Sequence, residues 1–139
     1  MTSEPLPSDP LPSDPPVIET ITDEADANPG GDIFGGWVLA QMDLAGGIRA
    51  YTYVGGRVVT AGATDIFFKK PIFIAEKLRF YAEIARVGRT SITMKIDVWR
   101  APRDNTAFEK VAGGVYTFVA VDQQNQPLPI SHLETPSAA

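Results

Sequence analysis

The sequence predicts an α+β fold in which one antiparallel sheet wraps a single long helix. Two patterns carry that expectation. Residues Leu78-Arg79-Phe80-Tyr81-Ala82-Glu83-Ile84-Ala85-Arg86-Val87 and Ile92-Thr93-Met94-Lys95-Ile96-Asp97-Val98-Trp99 alternate apolar with polar side chains, the period of strands with one face buried. The nearly uncharged run from Gly35 to Ile48 is the one segment that reads as a long helix.

Taken in order, the chain opens with a tandem Leu-Pro-Ser-Asp-Pro at 6–10 and 11–15, too rich in proline and acid to bury anything. Residues 1–16 are therefore expected to be a disordered, partly polyproline II tail, and deleting 1–15 is expected to leave activity and melting temperature in place. Val17 to Ile21 is a short strand candidate. The Asn28-Pro29 and Gly30-Gly31 steps that follow set turns and exclude a helix there. Helix is expected from about Ile33–Gly36 to about Ala50, with Gly55-Gly56 as the stop. Trp37, Ala40, Gln41, Leu44 and Ile48 fall on one stripe, expected to lie on the sheet. Gly46 and Gly47 cost helix propensity, which close packing would offset.

Extended segments follow at Arg57–Thr60, Ala63–Lys69, Lys77–Val87, Ser91–Arg100 and Lys110–Val121, read as four strands after the helix with one before it. Gly88-Arg89-Thr90 is the hairpin between two of them. Edge strands of such a sheet should pair with another copy. Trp99 is expected in the core or a subunit interface. Residues 131–139 read as a flexible tail in which His132 is exposed and without function.

Composition narrows the chemistry. With 139 residues and 44% hydrophobic side chains the chain can build one packed domain, expected over 17–130. Its net charge of −5 argues against nucleic acid, which calls for a basic stripe. With no cysteine and one histidine, neither thiol catalysis nor a clustered zinc site is expected. No basic segment followed by an apolar stretch opens the chain, and no apolar run reaches the ~20 residues of a membrane span, so a cytoplasmic protein without membrane partners is expected.

One residue breaks the pattern. Asp43 sits in the middle of the uncharged helix, and a buried carboxylate is costly unless paired or put to use. Read alone, Asp43 serves equally well as a structural carboxylate bonded to a loop amide or as a catalytic one. Gly35 and Gly36 offer unhindered backbone N–H groups at the helix start, where the dipole favours negative charge, although a tight junction needs glycines too. Asn28 before Pro29 reads by itself as an Asx turn.

Together these residues resemble a known family. Asp26-Ala27-Asn28-Pro29-Gly30-Gly31-Asp32-Ile33-Phe34-Gly35-Gly36-Trp37 with Gln41-Met42-Asp43 is similar to the signature of hotdog-fold acyl-CoA thioesterases of the YciA and brain acyl-CoA hydrolase type. Gly56-Arg57-Val58-Val59-Thr60, Lys70-Pro71, Val87-Gly88-Arg89-Thr90-Ser91-Ile92 and Val119-Ala120-Val121-Asp122 resemble its later blocks in the same order. The resemblance implies a hotdog fold, and hydrolysis of acyl-CoA to free acid and CoA at a site shared by two protomers. No cofactor is implied, because coenzyme A is part of the substrate.

By the same resemblance Asp43 is the catalytic carboxylate, as general base or nucleophile, and Asn28 faces it from the opposing protomer; the free N–H groups of Gly35 and Gly36 at the helix start are then the donors expected to receive the developing oxyanion. Arg57, Lys70, Arg89, Thr90 and Ser91 are expected near the CoA phosphates, with Lys70 and the Arg89-Thr90-Ser91 turn ranked above Arg57 and Lys69. A homo-oligomer follows: a dimer or, beyond it, a tetramer or hexamer. Two departures from the pattern stand out. Phe67 occupies a position where many members carry an amide, and the chain ends without the charged helical extension that would carry hexamer or nucleotide contacts. Two alternatives stay open, a noncatalytic acyl-CoA-binding module and a hotdog hydratase or dehydratase, the latter disfavoured because the only histidine lies far from the helix.

Overall fold

The structure, a computed structural model, describes residues 11–105 and 107–130. The expected C-terminal tail, with His132, and the first of the two proline repeats lie outside them. The described residues form β1 (Ile18–Ile21), a 3-10 turn at Glu24–Asp26, α1 (Gly35–Val54), β2 (Val58–Phe68), β3 (Lys77–Val87), β4 (Ser91–Ala101) and β5 (Glu109–Ala120). The five strands make one antiparallel sheet in the order β1-β3-β4-β5-β2, and α1 packs across it. Both the fold class and the count of strands agree with the sequence reading.

The helix is longer than expected. It passes Ala50 and ends at Val54, where Gly55 takes the left-handed conformation (φ 78°) and its N–H caps the Tyr51 carbonyl at 2.8 Å. The extra turn forms because Val54 reaches the core. The buried stripe is also not the one expected. Val38, Met42, Ala45, Gly46, Ala50 and Val54 face the sheet, whereas Ala40, Leu44 and Ile48 are exposed and Trp37 and Gln41 half-buried. Gly46 shows why: a Cβ there would stand 2.8 Å from the Phe118 ring and 3.1 Å from Ile96. The face carrying the smallest residues lets the helix sit close to the sheet, and that contact outweighs the larger side chains on the other faces.

The segments expected at Arg57–Thr60 and Ala63–Lys69 are one strand. β2 runs through both, with register shifts between Thr60 and Gly62 and between Thr64 and Phe67. Bulges add a residue and bend a strand without ending it, and Asp65 (φ 53°) sits inside the second. The hairpin at Gly88-Arg89-Thr90 is as expected, closed by Gly88 N–H to the Ser91 carbonyl at 2.7 Å. Trp99 is buried within the chain itself.

The sheet order leaves β2 at an edge. It is 11 residues long and almost wholly exposed in the single chain. Alongside it α1 exposes Leu44, Ile48 and Tyr51, the last 56% accessible. A long unpaired strand beside an apolar helix face is a surface that soluble proteins cover.

Candidate active site

Asp43 lies two turns inside α1 on the side facing β2. It is half-buried in the single chain rather than buried as its apolar neighbours suggested, because β2 is the last strand and nothing covers it beyond. Its carboxylate does not stand alone. Thr60 on β2 donates its hydroxyl proton to Asp43 Oδ1 at 2.6 Å, a short charge-assisted contact that fixes the carboxylate and leaves the second oxygen open.

A cavity of about 430 Å³ opens beside this pair, lined by Asp43, Gly47, Ile48, Thr60, Phe118 and Arg57 among others. Tyr116 lies beneath, close enough that the Asp43 charge acts on it. Burial first, and then the Asp43 charge, push the Tyr116 phenol up to about 12. Tyr116 is therefore a neutral donor at ordinary pH, and its hydroxyl is bonded to the Leu39 carbonyl at 2.8 Å.

The other expected site residues are spread along the chain's surface. Gly35 and Gly36 begin α1, eight and seven residues before Asp43, which at 1.5 Å per residue puts them roughly 10–12 Å away along the axis. Phe34 caps the helix with its backbone alone: its carbonyl takes the N–H groups of Trp37 and Val38 at 3.1 and 3.3 Å. Among the described residues the N–H groups of Gly35 and Gly36, both exposed, meet no acceptor.

Asn28 sits in the turn before the helix, its N–H on the Asp32 carbonyl (2.7 Å) and its carbonyl taking Gly31 N–H (2.9 Å). It does not line the Asp43 cavity. Within one chain, Asp43 therefore stands apart from the group formed by Asn28, Gly35 and Gly36.

The cations divide the same way. Arg57 lines the Asp43 cavity, its guanidinium donating to the Asp122 carbonyl and to Asn125 Oδ1, both neutral acceptors. Lys69 and Lys70 line a second cavity with Asp32 and Gly35 at the helix start. Lys70 there is paired with Glu109 at 2.9 Å, and Arg100, which also holds the Pro71 carbonyl (2.9 Å), meets Glu109 at 2.7 Å and Glu76 at 3.6 Å. These bonds anchor the segment that carries Lys70.

Arg89, Thr90 and Ser91 form the turn at the Arg57 end of the sheet: Ala120 N–H reaches the Thr90 carbonyl and Val121 N–H the Arg57 carbonyl. The residues that sequence reasoning missed are Thr60 and Tyr116. Thr60 belongs to a block quoted for the resemblance, so its place was visible and its contact was not.

Residues 30–107 match the thioesterase superfamily, more than half of the chain. The chain belongs to the thioesterase superfamily. This superfamily member is 36% identical to the acyl-CoA thioester hydrolase YciA of Salmonella typhimurium over 117 residues, covering 82% of the chain and 88% of that protein. Among solved structures it is similar to the hexameric thioesterase y2039 from Yersinia pestis (TM-score 0.81, 37% identity, 86% of this chain and 97% of that one). It is similar also to Cj0915, a hexameric hotdog fold thioesterase of Campylobacter jejuni (TM-score 0.80, 33% identity, 87% and 94%). The fold is the hotdog fold. The superfamily match takes in Gly35, Gly36, Asp43, Thr60 and Lys70 and begins two residues after Asn28. Among the described residues no helix is long and apolar enough to cross a membrane.

Proposed function

We propose that this protein hydrolyses acyl-CoA thioesters to the free acid and CoA, as a homo-oligomer whose active site is completed by two copies. The observation that carries the reading is the Thr60-held carboxylate of Asp43 at the mouth of an apolar cavity, in a chain whose relatives are named acyl-CoA thioester hydrolases. The hexameric relatives and the bare β2 edge support assembly.

In this mechanism Asp43 acts on the thioester carbonyl as general base or as nucleophile. As base, its free oxygen takes a proton from water while the hydroxide attacks the carbonyl carbon. Negative charge then gathers on the carbonyl oxygen, and the N–H groups of Gly35 and Gly36 from the second copy, with the helix dipole behind them, receive it. Asn28 of that copy adds a polar side chain facing Asp43. The tetrahedral species collapses by breaking the carbon–sulfur bond, and CoA leaves as a thiolate that is protonated afterwards.

Thr60 holds the base in place; Tyr116 fixes the helix above it through the Leu39 carbonyl. Lys70 and the Arg89-Thr90-Ser91 turn are the groups best placed at sheet ends for CoA phosphates.

The test is thiol release from a panel of acyl-CoAs by purified protein. Turnover is expected, and Asp43→Asn, nearly the same shape without the base, should lower it by roughly 100-fold or more. Thiol release unaffected in folded Asp43→Asn would rule out the assignment. Tight acyl-CoA binding without thiol release would favour a binding module.

A further inference from the structure

Residues 71–76 lie outside every strand, yet this stretch sets where α1 begins. Ile33 N–H donates to the Ile72 carbonyl at 2.7 Å, and Asp32 bridges Phe73. Two residues after Ile33, Gly35 opens the helix. The N–H groups of Gly35 and Gly36 therefore take their position from a support that has no ladder of its own.

That support is held by side chains. Ala75 within it has φ 68°, a left-handed conformation that is costly for a residue with a Cβ and persists where the surroundings fix it. Thr22 holds one side: its hydroxyl donates to the Phe73 carbonyl at 2.6 Å and accepts Glu76 N–H at 3.0 Å. Arg100, near the end of β4 and 8% exposed, holds the other. One arm of its guanidinium donates to the Pro71 carbonyl at 2.9 Å and lies 3.6 Å from Glu76 Oε1, the oxygen that accepts Phe73 N–H at 2.7 Å. The other arm meets Glu109 at 2.7 Å.

A buried ion pair adds little net stability over well-packed apolar side chains of similar volume, so folding alone does not account for this cluster. What a planar guanidinium supplies that apolar groups do not is direction. It fixes the Pro71 carbonyl, one residue from the carbonyl that bonds Ile33.

We propose that Arg100 is a positioning residue for the oxyanion: through residues 71–73 and the hydrogen bond between Ile72 and Ile33 it sets the N–H groups of Gly35 and Gly36. The inference rests on the thioesterase reading above and adds to that site a residue that acts through the backbone. Arg100 also meets Glu109, the partner of Lys70, so a competing route runs through Lys70 to the CoA phosphates. The two routes differ in what they need from the substrate.

The test compares full-length wild type with Arg100→Lys and Glu76→Gln on two thioesters of one acyl group, the CoA ester and the N-acetylcysteamine ester, which keeps the thioester and has no phosphate. Arg100→Lys keeps the charge and loses the planar fork. Glu76→Gln keeps an acceptor for Phe73 N–H and removes the charge beside Arg100. On the CoA ester, Arg100→Lys should lower kcat by about tenfold with KM nearly constant, the size of one hydrogen bond to a charged group expressed in the transition state. On the N-acetylcysteamine ester kcat/KM should fall by the same factor, and Glu76→Gln should show the same pattern at smaller size. Amide hydrogens of residues 30–38 should exchange faster in both variants, while those of the hairpin between β3 and β4 keep the wild-type rate.

Wild-type kcat in both folded variants would overturn the proposal. So would a loss confined to the CoA ester, which would assign Arg100 to Lys70 and the phosphates. Faster exchange along the whole chain with a lower melting temperature would make Arg100 a packing residue only. If Arg100→Lys does not fold, Glu76→Gln decides among these outcomes by itself. Wild type that releases no thiol from either ester would overturn the thioesterase reading and this one together, a result distinct from the other three.

Discussion

Replacing Thr60 by valine removes one hydroxyl and keeps the branched shape, so it isolates the bond to Asp43 from the packing around it. That bond is 2.6 Å long and charge-assisted. Hydrogen bonds to charged groups contribute about 1.5–3 kcal/mol, and the partial exposure of this pair argues for the lower end. If the bond serves to hold the carboxylate in the reactive position, its loss appears in the transition state, and ~1.5 kcal/mol corresponds to about tenfold in rate.

The assay is steady-state thiol release with a saturable acyl-CoA. Thr60→Val should lower kcat by about 10-fold with KM nearly constant, and Thr60→Ser, which restores the donor, should recover most of it. A melting temperature close to wild type would show that the loss is not unfolding. Wild-type kcat in folded Thr60→Val, or a Thr60→Ser as slow as Thr60→Val, would refute the positioning role.

Gly46→Ala should destabilise, because the new methyl meets Phe118 at 2.8 Å and Ile96 at 3.1 Å; overpacking of about 1–3 kcal/mol should lower the melting temperature by several degrees, and an unchanged melt would mean that the helix rides further from the sheet. Glu109 is held below its ordinary 4.5, first by the hydrogen bond from Lys70 and then by the one from Arg100. A carboxyl depressed on folding adds stability that is complete above its unfolded pKa and lost as pH falls through its lower folded one. Melting temperature should therefore fall with pH below about 4.5, and Glu109→Gln should flatten that acid limb; an identical limb in the variant would contradict the assignment.

The sheet was readable where one face is buried and the other wet, which is why β3 and β4 agree with their alternation. The helix showed its existence but not its orientation. Large apolar residues occur on several of its faces, so periodicity chose Leu44 and Ile48, whereas the buried side was decided by how closely Gly46, Ala45 and Ala50 let Phe118 and Ile96 approach. That is a property of the partner surface, invisible in the helix alone.

β2 looked like two strands because Gly62 and Asp65 fall at its bulges, and bulges share the composition of turns. At the site, Asp43 was legible as a lone charge in an apolar helix. Its partners were not: Thr60 comes from β2 and Tyr116 from β5, 17 and 73 residues away along the chain, and no local pattern links them. The separation of Asn28 and Gly35 from Asp43 within one chain likewise emerges only once α1 has its length and direction.

The shared site is tested most directly by mixing subunits. Asn28→Ala and Asp43→Ala are each expected to be inactive alone. Unfolded together and refolded at equal amounts, half of the dimers would carry one of each chain and hence one intact site of two, so thiol release should return to about a quarter of wild type. Activity that stays at the level of the separate variants, while sedimentation shows assembled mixed oligomers, would contradict a site built from Asp43 of one copy and Asn28 of another.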